Sequence, residues 1–403
     1  MLSTTTVDVR TWLRENAVTI DSFDPDSPGS DLDSLIARLG TATVVGLGES
    51  TRFSRQTFGV RERIFRGLVE RHGFRALAIQ DSARSGERWD RFVTSGESDP
   101  LTVLAGAWRP WRTEESVATL RWIRAYNLAH PQDPVRIFGV EPPHAEPSDY
   151  DAVLDYVRRA APDRTAAIEV HLAPIRTAHQ IDEHVQRHQG IHPGRPFVEH
   201  AEDAFALLTA LPDTKERATA LDHARLILDF HRHSVASQGF ARDERPSAET
   251  VLGWQRATGA KIVYWDGIAH TTSLPIAFGA AEFHGAGSHL RARLGAGYTS
   301  VGIGFHHGDL GVATAPDPQD DLVDAALGEV DLPAYYVDLD AAAPEPVRDW
   351  LTGPAKLRTI SGVYDPAQDA SANIRLSALA DAFDVLIHVR ETTPVHWLSQ
   401  VSD

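Results

Sequence analysis

The chain has no cysteine, which excludes disulfides, thiolate nucleophiles and cysteine-ligated zinc sites together. Lysine occurs only as Lys215, Lys261 and Lys356. Positive charge is therefore carried almost wholly by arginine, which cannot form a Schiff base, so covalent lysine catalysis is not expected. No apolar run approaches the eighteen or so residues a membrane-spanning helix needs. The first residues, MLSTTTVDVRTWLREN, lack a basic region followed by an apolar one, so no signal peptide is expected and a cytoplasmic protein is. The net charge of −17 shows no basic stripe to meet phosphates, which argues against nucleic acid as a partner. What is present is a chain of 403 residues, 42% hydrophobic and 24% charged. That is ordinary globular composition, at a length that supports a large core or a core with a subsidiary domain. Nothing in the composition specifies an oligomeric state.

Apolar patterning organises the rest. TATVVGLGES is a β-branched run that ends in Gly-Glu-Ser, and it reads as a buried strand opening into a loop. Residues 56–72 read as a helix with Phe58, Ile64, Phe65, Leu68 and Val69 on its apolar side. RALAIQDS and VRIFGVEPP follow as strands with a helix over 113–129 between them, and this alternation implies a parallel sheet. From about 148 to 256 strand signals vanish and Ala-, Leu-, Arg- and His-rich helical stretches replace them. KIVYWDGIAH, YTSVGIGFHHGD, AYYVDLD and DVLIHVRE then resume the strand pattern. The expected architecture is an α/β core of a mainly parallel sheet flanked by helices, built from 1–147 and 257–403, with a helical insertion over 148–256.

In parallel α/β sheets, ligands bind beyond the carboxyl ends of the strands. Those ends carry Glu49 and Arg52, Gln80 and Asp81, Glu141, Asp266 and His270, and His306 and His307. Acidic groups, imidazoles and arginines together can perform acid/base chemistry. GLGES is not a nucleophile elbow, because its central residue is Gly48 and no glycine follows. No Rossmann or phosphate-loop fingerprint stands at a strand–helix junction. Neighbouring histidines on a strand leave it on opposite faces, so only one of His306 and His307 is expected to face the site, and no metal is expected. His231-Arg232-His233, in a helical stretch, reads as a solvated or cleft-lining surface.

Several segments, in order and spacing, resemble the erythromycin esterase family over nearly the full length. They are VVGLGES with FGVRERIFRGLVERHGFRALAI, then WRTEESVATLRWIRAYN with VRIFGVE, RDERPSAETV, KIVYWDGIAH, GAGSHLRARLGAGYTSVGIGF and FDVLIHVRETTPVHWL. The resemblance implies an α/β core and helical insertion with a cleft where acid/base residues activate water against a lactone or ester, with no required metal or cofactor. The family's Gly-Glu-x-x-His segment matches Gly48 to Arg52, so Glu49 is kept and arginine stands at the position of the family's general base. The family's helix arginine matches Arg61. Its glutamate ending the second strand is replaced by Gln80. In its Trp-Ala-His-Asn-x-His segment the first histidine is Gly267 and the second is His270.

These replacements have chemical consequences. Arg52 stays protonated and accepts no proton from water, and Gln80 can be neither acid nor base. A site without its general base forgoes a rate factor of roughly 10²–10⁴. Strand-end position and the resemblance together make Glu49, Arg52, Arg61, Asp266 and His270 the candidate catalytic set, with Gln80, Asp81, Glu141, His306 and His307 as candidate substrate contacts. Three functions fit. One is a tailoring enzyme for a small natural product, working by non-hydrolytic cyclisation, isomerisation or elimination. The second is an ester or lactone hydrolase whose base has moved to His270 or to His306–His307. The third is a binding protein for a macrolide-like ligand.

Overall fold

The computed structural model describes residues 4–179, 191–192, 194–232, 243–278, 281–360 and 364–399. The chain divides into two compact units. One comprises Met1–Asp81, Ser85–Glu141 and Arg242–Asp403, and the other Ser82–Arg84 and Pro142–Ala241.

The strands in chain order are β1 (Val18–Thr19), β2 (Val44–Glu49), β3 (Phe74–Ser82), β4 (Arg136–Glu141), β5 (Ile191–His192), β6 (Arg195–Pro196), β7 (Lys261–Gly267) and β8 (Ile276–Phe278). They continue as β9 (Ala281–Phe283), β10 (Tyr298–Asp309), β11 (Thr314–Ala315), β12 (Ala334–Asp338), β13 (Ala355–Arg358), β14 (Asn373–Leu376) and β15 (Val385–Thr392). In the first unit the main sheet runs β1-β12-β15-β10-β2-β7-β3-β4, with β11 paired to β10. Its centre is parallel, since β10 pairs in parallel with β15 and β2, and β7 with β2 and β3. β12 and β1 close one side antiparallel. A second, antiparallel sheet, β13-β14-β8-β9, was not anticipated. Its strands are three or four residues long, too short to show a period.

Side-chain alternation assigns the two faces of the central strands. Val45, Leu47, Leu77, Ile79, Val263 and Trp265 join one buried cluster, with Phe58, Ile64, Phe65 and Leu68 of the helix Arg55–His72. Val44, Ala76, Ala78, Ile262 and Tyr264 join the other, with Ala248, Val251 and Leu252 of the helix Arg245–Thr258. That helix was expected in the insertion. It belongs instead to the first unit, because its apolar residues cover the second face of this sheet.

Among the described residues, the second unit contains the helices Pro147–Ala160, Thr165–Ile175, Phe197–Thr209 and Lys215–Arg232 with the short hairpin β5–β6. It has its own core, which includes Tyr150, Val157, Leu172, Phe197, Leu208 and Ile227. His231 is buried rather than solvated, with its Nε2 2.8 Å from the Tyr150 hydroxyl. Arg232 is exposed and pairs with Glu202 at 3.1 Å, and His233 lies outside the described residues. No helix among the described residues is long and apolar enough to cross a membrane.

Candidate active site

Glu49 ends β2 on the same face as Val45 and Leu47, the face covered by the helix Arg55–His72. Two turns along that helix Arg61 meets it, and the buried guanidinium donates to the Glu49 carboxylate. Arg61 is enclosed by rings, with its central carbon 4.5 Å from the centre of Phe58, 4.4 Å from Trp265 and 5.3 Å from Trp111. An arginine so enclosed stays with its carboxylate, because breaking the pair would leave a buried charge uncompensated.

Arg52 leaves the turn between β2 and this helix and points back over the strand ends. It lies 3.6 Å from Glu49, lies 3.2 Å from Asp266, and donates to the side-chain oxygen of Gln80. Its guanidinium stacks on Trp108, 4.2 Å from the ring centre. Nη2 carries these hydrogen bonds, while Nη1 is buried with no hydrogen-bond partner. A Cβ on Gly267 would stand 3.2 Å from Arg52 Nη2 and 3.1 Å from the His270 ring. Arg52 therefore sits against the space that a side chain at 267 would enter.

Asp266, at the end of β7, lies on the same face as Tyr264, whose hydroxyl donates to it. The other carboxylate oxygen accepts from the Gly267 amide at 2.6 Å. Burial pushes the Asp266 carboxyl up to about 6, against the pull of His270 and Arg52. His270 follows on the short helix Ile268–Thr271. Its Nδ1 is 2.8 Å from Glu244, and its Nε2 is 3.9 Å from Asp266. Burial alone would depress this imidazole, but the two carboxylates outweigh it and raise it to about 9. Near neutrality His270 is a cation and a donor, with Nδ1 committed to Glu244 and Nε2 beyond hydrogen-bond distance of Asp266. Glu244 is itself fixed, accepting from the Ala286 amide at 3.2 Å at the N-terminus of the helix Ala286–Leu294, where a negative charge is favoured.

Of the anticipated residues, Glu49, Arg52, Arg61, Gln80, Asp266 and His270 thus form one linked set. Asp81 stands beside it, accepting from the Trp108 amide at 2.9 Å and so holding the segment whose indole stacks on Arg52. Glu141 ends β4, three strands from β2 in the sheet order, which is roughly 14 Å across the ladder. His306 and His307 lie three and four residues past Ile303, which is the partner of Glu49. The two rings do not separate as expected, for their Nδ1 atoms are 2.8 Å apart. Alternation governs where each Cβ leaves the strand, but the side-chain torsions decide where the ring ends.

Sequence reading missed Glu244, Trp108 and Trp111. Trp111 donates its indole N–H to the Gln80 carbonyl at 2.9 Å. All three lie outside the strands, and none belongs to a motif whose spacing announces its role. Glu244 and Trp111 lie within segments that carry the family resemblance, which is the available signal.

The fold and site describe an α/β protein with carboxylates, arginines and an imidazole gathered at the carboxyl ends of its central strands. The chain belongs to the erythromycin esterase family, whose model matches residues 69–392. Erythromycin esterase type II of Escherichia coli is 25% identical over 154 residues, a match that spans 37% of this chain and 36% of that protein. Among solved structures, a Bacillus cereus protein shares 20% identity at a TM-score of 0.68, with 98% of this chain and 99% of that one covered. A succinoglycan biosynthesis protein shares 20% at 0.68, over 99% and 100%. A mutant of the erythromycin esterase EreC in its open conformation shares 17% at 0.60, over 96% and 99%. At such identities the structures speak for the fold alone. Family membership places the chain on a scaffold used by hydrolase-type enzymes.

Proposed function

We propose that this protein is an enzyme acting by acid/base chemistry on a small molecule of the natural-product class, in a non-hydrolytic cyclisation, isomerisation or elimination. The observation that carries this reading is the position of Arg52. A permanently charged group stands where the sequence resemblance puts the family's water-activating base, and it is pinned by Glu49, Gln80, Asp266 and the Trp108 ring. It has donors and no acceptor, so it stabilises negative charge as it develops on a substrate oxygen and does not deprotonate water.

His270 and Asp266 supply the proton chemistry. His270 is held protonated by Glu244 and Asp266, so it starts as an acid, donating from Nε2. Asp266, 3.9 Å from that nitrogen, is a carboxylate raised toward neutrality and serves as the acceptor that completes the couple. With Asp266 below pH 7 and His270 above it, the two groups suit acceptor and donor roles in one site. Glu49 and Arg61 form the floor that holds Arg52 in place.

The test is incubation with activated esters and macrolide lactones, with products read by mass. Products at unchanged mass, or lighter by one water, support the proposal. Arg52→Ala is expected to slow their formation about 10²–10³-fold. Vigorous hydrolysis by the unmodified protein, unaffected by Arg52→Ala, would overturn it in favour of a relocated base. Saturable binding without turnover would make the chain a binding protein.

A further inference from the structure

At the carboxyl end of β10, three residues and more past the partner of Glu49, three potential metal ligands converge. They are His306, His307 and Asp317. β11 pairs antiparallel with β10, Gly308 opposite Ala315 and Asp309 opposite Thr314. Extending that register by two residues puts Asp317 across from His306, within the reach of a cross-strand pair. The distances agree, with His306 Nδ1 to Asp317 Oδ1 at 3.5 Å, His307 Nδ1 to the same oxygen at 3.6 Å, and the two nitrogens at 2.8 Å. A point equidistant from three atoms so arranged lies about 2 Å from each, the bond length of zinc to imidazole nitrogen and carboxylate oxygen.

The surroundings hold these donors in place. The far edge of the His306 ring rests on Gly328, where a Cβ would come within 2.2 Å of its Cδ2 and 2.6 Å of its Nε2. This leaves Nδ1 as the nitrogen turned toward His307 and Asp317. Arg358 is fully buried and donates to the carbonyls of both His306 and Pro316, tying the strand end to the residue before Asp317. Arg358 is in turn fixed by Asp369 at 2.8 Å, and Asp369 by the Tyr364 hydroxyl at 2.7 Å. Partners of this kind orient ligands from behind. On the open side, His307 and Asp317 are 35% and 80% exposed, which gives an ion a route in and water a fourth position.

We infer that His306 Nδ1, His307 Nδ1 and Asp317 Oδ1 form a binding site for one divalent transition-metal ion of the zinc class, clamping the β10–β11 hairpin. Two imidazoles and a carboxylate suit zinc, cobalt or nickel and are poor ligands for magnesium or calcium. Because the site shares no ligand with the Glu49–His270 set, it stands or falls independently of the proposed reaction.

The experiment is calorimetric titration of the untagged full chain with zinc, and of the same chain with cobalt followed by visible absorption. One saturable equivalent, a raised melting temperature and cobalt bands of a nitrogen–oxygen site are expected, with no response to magnesium. His307→Gln and Asp317→Asn change a half-buried and an exposed side chain and should keep the fold, as circular dichroism will check. Each is expected to weaken zinc binding at least tenfold. No saturable equivalent, or one whose affinity neither substitution changes, would overturn the assignment.

Discussion

At the scale of single residues, the site turns on the pairing of Arg52 with Gly267. A side chain at 267 would press its Cβ to 3.2 Å from the Arg52 guanidinium and 3.1 Å from the His270 ring, both tighter than ordinary contact. The two residues are therefore complementary, since glycine leaves the space and arginine lies against it. Gly267→His alone should displace Arg52 and lose the native reaction. Arg52→His with Gly267→His should raise hydrolysis of an activated ester by more than the two single changes predict together, because neighbours that share one space are not additive. Additive behaviour in that cycle would count against the coupling. His270 gives a second expectation. Its raised value depends on Asp266 and Glu244, so activity should fall on the alkaline side near pH 9 as His270 loses its proton, and on the acid side near pH 6 as Asp266 gains one. Glu244→Gln removes one of the carboxylates holding the proton, so the alkaline limb should move toward neutrality. An NMR titration of the imidazole checks this without a substrate, and an unmoved midpoint would refute the assigned partner.

At the scale of elements, the helix Arg55–His72 joins the fold to the site, because it covers one face of β2 and delivers Arg61 to Glu49. Its start is defined by Ser54, whose buried hydroxyl accepts from the Thr57 amide at 3.1 Å. Its end is defined by Gly73 at φ 71°, a conformation that favours glycine. Ser54→Ala leaves that amide unpaired in a dry environment, and a loss of about 1–2 kcal/mol is expected, measurable as a lower urea midpoint at unchanged slope. A neutral result would mean that the cap is satisfied by another group. The helix Arg245–Thr258 shows the limit of reading an element by itself. Its helical character is legible, but its membership in the first unit depends on the sheet face formed by Val44, Ala76, Ile262 and Tyr264.

At the scale of the whole molecule, the second unit has a core separate from those of the first. Leu208 is fully buried in it, on the helix Phe197–Thr209. Leu208→Ala is expected to cost about 2–5 kcal/mol, and local opening follows cooperative units. Hydrogen exchange should then accelerate across the described helices of the second unit and leave β2 and β7 protected. Equal acceleration in β2 and β7 would show that the two units unfold as one.

The α/β class, the central strands, the helices that begin and end with clear signals, and the family are legible along the chain. Period and β-branched content are local properties, and the family's ordered segments survive even where single residues have changed. It is also legible that Glu49, Arg52, Gln80, Asp266 and His270 stand at strand ends, because strand ends are visible in a sequence. How those groups are coupled is set by packing. Glu244 holds His270 across 26 residues, and Trp108 stacks on Arg52 across 56, contacts that no spacing encodes. The same holds for His306 and His307. Alternation sent them to opposite faces, but the hairpin that brings Asp317 alongside and the buried Arg358 that ties its base are set by packing. A strand's period is a property of its backbone, whereas the direction of a ring nitrogen is settled by whatever fills the space around it.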